Sequence, residues 1–122
     1  MGIIKLEKTR TTPYLLFDPE EGKLVIEGRS SPENSLEFYT PVIDQLKSNQ
    51  ASEFVIDFKL EYFNTSTSKC LFIIFQHLGE MNANGSKVTV NWYADEDDYD
   101  LIETGEDFEE MTDLKFNFVL VD

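Results

Sequence analysis

Asn64-Thr65-Ser66-Thr67-Ser68-Lys69 stands where an apolar strand pattern gives way to an apolar helical one. A helix start leaves its first backbone N–H groups without intrahelical acceptors and carries a positive partial charge. A hydroxyl placed there is positioned to become a phosphoryl group that the helix end stabilises, which makes the segment a candidate switch. Asn, Thr and Ser are also the preferred N-cap residues, so capping by itself accounts for the same run.

Other chemistry finds fewer parts. His77 is the only histidine and Cys70 the only cysteine, so no internal disulfide forms and a nucleophile–histidine pair has no spare members. There is no Gly-x-Ser-x-Gly elbow, and Gly85-Ser86-Lys87 lacks the upstream glycine of a phosphate-binding loop. Asp95, Asp97 and Glu106 can be laid on an EF-hand frame, but Tyr99 then falls on a ligand position and Asp100 on the obligatory glycine. A solvated acidic helix is the expectation there, with no metal, no cofactor and no enzymatic activity.

The acidic excess bounds the partners. With 24 acidic and 10 basic residues in 122, the formal charge is −14, which repels nucleic acid and anionic membrane surfaces. Apolar residues make up 41% and aromatics 13%, enough for one domain with a real core. No apolar run is long enough to span a bilayer and Met1 to Lys5 lacks the marks of a secretory signal, so a cytoplasmic protein is expected.

The elements that must position Asn64 to Lys69 follow from periodicity. Residues 13–17 and 23–28 flank the turn-rich Asp18-Pro19-Glu20-Glu21-Gly22 and predict a hairpin. Ser31-Pro32-Glu33-Asn34 reads as a helix start, with Leu36, Tyr39, Ile43 and Leu46 on one face and a kink or split at Pro41. Phe54, Ile56, Phe58 and Leu60 alternate with Val55, Asp57 and Lys59, which predicts a central strand. Cys70, Leu71, Ile74, Phe75, Leu78 and Met81 predict a buried helix, widened by Phe72 and Ile73 and stopped at Asn84-Gly85. A strand over Lys87 to Tyr93 follows, then a partly exposed acidic helix broken near Gly105, then a strand over Lys115 to Val121. This order predicts an α/β domain whose mixed sheet has about five strands with helices packed against it.

Four segments in this order carry a resemblance: Ser31-Pro32-Glu33-Asn34-Ser35, Tyr62 to Lys69, Trp92-Tyr93 and Gly105-Glu106-Asp107-Phe108. Over nearly the whole chain they resemble the SiaC family of bacterial regulatory phosphoproteins. The resemblance implies a STAS-like fold, of the anti-sigma factor antagonist type, in which a strand delivers a Ser/Thr motif to a helix start. It also implies phosphorylation at Thr65, with Ser66, Thr67 and Ser68 as fallback acceptors, although Asn64 stands where antagonists commonly have Asp and no glycine follows. A partner kinase would add the phosphate, a PP2C-type phosphatase would remove it, and the unmodified form would bind and activate an effector such as a diguanylate cyclase. Glu33, Asn34, Ser35, Asn64, Ser66 and Lys69 are the candidate docking residues, Lys69 lying one helical turn beyond Thr65. The rival reading, from charge alone, is an acidic inhibitor or immunity-type protein that covers a partner's basic site through Asp95 to Glu110.

Overall fold

The computed structural model describes residues 2–122. Its sheet runs in chain order: β1 (Ile4–Leu6), β2 (Tyr14–Asp18), β3 (Lys23–Ser30), β4 (Glu53–Phe63), β5 (Lys87–Asp95) and β6 (Phe116–Val121). The first three strands pair antiparallel and the last four parallel, so the sheet is mixed. The parallel steps are crossed by α1 (Ser35–Lys47), α2 (Thr65–Ala83) and α3 (Tyr99–Thr112). Each crossover moves one strand in the same direction, and with right-handed connections all three helices fall on one face of the sheet. The strands record this layering as alternation: in β4, Phe54, Ile56, Phe58 and Leu60 are buried while Val55, Asp57 and Lys59 are only half-buried.

The expected order is present, with one strand more than the periodicity suggests. β1 is three residues long and half-buried to exposed, so it has no alternation to read. α1 starts later than Ser31-Pro32 implies. The Ser31 N–H donates to the Thr11 carbonyl at 2.7 Å, so the chain is still tied to its neighbour, and Asn34 caps the helix instead. α1 also runs unbroken through Pro41, whose exposed position leaves the unpaired Glu37 carbonyl to water. Leu36 is 59% exposed rather than part of the core face, and Val42 takes the buried position.

α3 likewise runs unbroken through Gly105. That glycine marks a close approach rather than a break. Trp92 lies flat on Phe58, 4.1 Å between centroids and 5° between planes, and its indole N–H donates to the Leu101 carbonyl of α3 at 3.1 Å. A Cβ on Gly105 would sit 2.7 Å from the Trp92 ring and 2.8 Å from Phe118. Helix and sheet can therefore meet this closely only where the side chain is absent.

Gly105→Ala gains helix propensity yet forces a fully buried, stacked indole to move. The expected outcome is a net destabilisation of about 1–2 kcal/mol, seen as a lower urea midpoint, whereas a surface Gly→Ala in a helix would raise it.

Candidate functional site at two converging helix starts

β4 ends at Phe63, Asn64 turns the chain, and α2 begins at Thr65. The Asn64 Oδ1 accepts the Thr67 N–H at 2.8 Å, and Asn34 caps α1 in the same way by accepting the Glu37 N–H at 3.1 Å. The two helix starts are tied together: the Ser35 hydroxyl lies 3.0 Å from the Ser66 hydroxyl and 3.1 Å from that of Thr67. Two positive helix ends therefore converge on one corner of an otherwise strongly acidic protein.

Beneath this corner is a buried set of hydroxyls. The Thr67 Oγ1–H donates to the Ser30 carbonyl at 3.2 Å, and its oxygen lies 3.0 Å from the Ser30 hydroxyl, which in turn is 2.7 Å from the Tyr39 hydroxyl. The β3–β4 register shifts between Gly28 and Arg29, where Glu61 of β4 is the extra residue, so that Ser30 pairs with Phe63, and the Ser30 carbonyl also accepts the Asn64 N–H at 3.0 Å. With its proton on a carbonyl and two hydroxyls around its oxygen, Thr67 has no hydrogen-bonding capacity left over. Burial pushes the Tyr39 phenol far above its ordinary range, more than the Ser30 hydrogen bond lowers it. Burial also raises the Cys70 thiol, which lies inside α2.

The candidate residues thus divide by exposure. Thr65, Ser66, Lys69, Glu33 and Asn34 are exposed, and Ser68 and Asn64 are half-buried. Thr67 and Ser35 are corrections. Thr67 is fully buried and Ser35 is 2% exposed, so one does not offer a hydroxyl to a kinase and the other supports the surface from below. The fold also adds residues that sequence reasoning assigned elsewhere. Leu36 and Tyr62 stand exposed beside the two helix starts. Phe72, Ile73, Phe108 and Met111 line an open apolar groove that continues from Thr65, Ser68 and Lys69 between α2 and α3. The signal was the excess width of the apolar stripe on α2, too broad for one buried face. His77 lies away from this corner, with Nδ1 3.3 Å from a Glu80 carboxylate oxygen.

An exposed hydroxyl thus stands at two converging helix ends of a small α/β domain, over a buried hydrogen-bonded anchor and beside an apolar groove. The profile of the SiaC family regulatory phosphoproteins matches residues 6–121, and the chain belongs to that family. It is a family of regulators and not of enzymes. An uncharacterized protein of Pseudomonas aeruginosa strain UCBPP-PA14 is 32% identical over 123 residues, covering 98% of this chain and 96% of that one. The crystal structure of apo-SiaC from Pseudomonas aeruginosa superposes over 100% of both chains with a TM-score of 0.83 and 32% identity. SiaC in the crystal structure of the diguanylate cyclase SiaD with its activator SiaC, from the same species, matches with a TM-score of 0.82 at 32% identity over 96% of this chain and 97% of that one. Among the described residues, no helix is long and apolar enough to cross a membrane.

Asn64→Ala removes the α2 cap and should cost about 1 kcal/mol in urea unfolding, with Asn64→Asp largely restoring it. The raised Tyr39 pKa means that the folded state holds its proton more tightly than the unfolded state does. The stability this provides is complete below the unfolded value, about pH 10, and is lost as the pH rises above it. In an alkaline absorbance titration, one of the five tyrosines should therefore ionise only with unfolding, and Tyr39→Phe should abolish that step.

Proposed function

We propose that this chain is a phosphorylation-dependent partner switch whose address is Thr65. The observation that carries the proposal is the contrast two residues apart: Thr65 is exposed at the convergence of two helix starts, while the Thr67 hydroxyl is buried and fully engaged. A partner kinase transfers the γ-phosphoryl group of ATP to the Thr65 Oγ1, which loses its proton as ADP leaves. A PP2C-type phosphatase hydrolyses the ester again. The unmodified form binds and activates an effector enzyme in the cytoplasm, a diguanylate cyclase by analogy with the SiaC that activates SiaD.

The physics suits an exclusion mechanism. The phosphate adds about −1.5 to −2 charges, which the first-turn N–H groups and the two helix dipoles stabilise within the free protein. An effector that covers Glu33, Asn34, Asn64, Ser66 and Lys69 meets a hydrated dianion where it had met a hydroxyl. Burying that charge without a cation is costly, and a hundredfold loss of affinity needs only about 2.7 kcal/mol. Lys69, one turn on, is the nearest candidate to share the phosphate. The α2 first turn has no acidic residue to oppose it.

The test is intact-mass measurement and peptide mapping after incubation with a candidate kinase, Mg²⁺ and ATP. The parent should gain one phosphoryl group on Thr65 and Thr65→Ala should gain none. Effector affinity should fall about a hundredfold on modification. Addition at Ser66 or Ser68 would move the address while keeping the switch. Effector binding that ignores modification and Thr65 substitution but collapses with salt would favour the acidic-inhibitor reading instead.

A further inference from the structure

The sheet has two edges and they are protected differently. β1 closes one edge with three residues that include Lys5, paired with Glu7 just beyond at 3.9 Å; short charged edges of this kind discourage strand addition. β6 closes the other with six residues, Phe116–Val121, of which Leu120 is 52% and Val121 46% exposed.

Two hydrogen bonds fix which backbone groups of β6 look outward. The Glu96 N–H donates to the Val121 carbonyl at 2.8 Å, so Val121, and by alternation Asn117 and Val119, turn toward β5. The Phe116 N–H donates instead to a Glu109 carboxylate oxygen at 2.7 Å, so Phe116, Phe118 and Leu120 turn away from β5. Glu109 closes off the first outward donor. The N–H and C=O groups of Phe118 and Leu120 form the open stretch of the edge.

The flank of α3 above this edge is acidic. Ile102, Glu106 and Glu109, with Asp113 at the helix end, recur at helical spacing along one side of α3, and the Glu109 contact shows that this side faces β6. Phe118 and Leu120 point to the same face of the sheet as α3, since Phe118 packs against the Gly105 position.

We propose that the β6 edge receives an extended segment of a partner protein, with alternating apolar and basic residues, as a seventh strand. The open backbone groups of Phe118 and Leu120 supply the pairing, the segment's apolar residues lie beside Phe118 and Leu120, and its basic residues meet Glu106 and Asp113. A second copy of this chain is the poorer occupant. A two-fold axis that pairs β6 with β6 keeps both helix layers on one side and sets the two acidic α3 flanks against each other. The site is separate from Thr65 and does not depend on the switch reading.

The probe is a capped peptide of sequence Lys-Val-Lys-Val-Lys-Val-Lys titrated into the ¹⁵N-labelled full chain, with Glu-Val-Glu-Val-Glu-Val-Glu as control. The basic peptide should shift the Phe118 and Leu120 amides and slow their hydrogen exchange about tenfold, and the acidic one should do neither. Strand addition uses alternate backbone groups, so of two peptides N-methylated on alternate residues one should bind and the other fail. Leu120→Pro removes an outward donor without touching the β5 ladder and should abolish the protection. Glu106→Lys should weaken binding even if Leu120→Pro fails to fold. Shifts confined to α3 with no amide protection, equal binding of both methylated peptides, or β6 amides protected by dimerisation of the free protein would each overturn the proposal.

Discussion

The geometry of the corner where α1 and α2 begin depends on one buried hydroxyl. Thr67 lies in the first turn of α2 with no access to water, and a polar group so placed must find all its partners within the protein. It finds them in three elements at once: the Ser30 carbonyl and hydroxyl at the end of β3, Ser35 at the start of α1, and Asn64, which takes its backbone N–H, at the turn from β4. Each bond is modest, about 0.5–1.5 kcal/mol net, but leaving any member unpaired costs about 1–3 kcal/mol. The set therefore behaves as a unit and fixes the relative position of two helices. Tyr39 extends it into the core, so the tip cannot shift without disturbing packing.

This rigidity separates two roles that the sequence runs together. The inward side of the Asn64 to Lys69 turn is buried and hydrogen-bonded, and its outward side is exposed. Thr65 and Ser66 sit on the outward side. Under the proposed switch, a charge added there would fall on two helix ends whose dipoles favour it and would alter the surface more than the fold. The groove of Phe72, Ile73, Phe108 and Met111 adds exposed apolar area beside the same turn.

Much of the fold was legible. β4 and α2 alternate or repeat cleanly because each buries one face against a layer, and Asn84-Gly85 ends α2 with Gly85 at a φ of 109°. Less legible were positions where a distant contact overrode a local rule. Ser31 is a good cap residue held away from capping by Thr11, Leu36 is apolar yet exposed in the first turn of α1, and Gly105 reads as a breaker yet is where α3 passes Trp92 too closely for a Cβ. Within the candidate site the motif itself was visible, and although the four neighbouring hydroxyls are alike in chemistry, Thr67 stands three and four residues before Cys70 and Leu71, a helical spacing that puts it on the buried face.

By itself, the sequence determined the mixed α/β order, the strand that delivers the Ser/Thr run, the helix that follows it and the acidic character that limits partners. Those properties arise from periodicity, capping and net charge, which act over a few residues or over the whole composition. Only the tertiary structure decided that Thr67 and Ser35 are anchors while Thr65 is exposed, that α1 and α2 begin side by side, and that β6 keeps an open edge under an acidic flank. Those outcomes depend on which residues from distant parts of the chain meet, and burial and hydrogen-bond satisfaction are properties of that meeting.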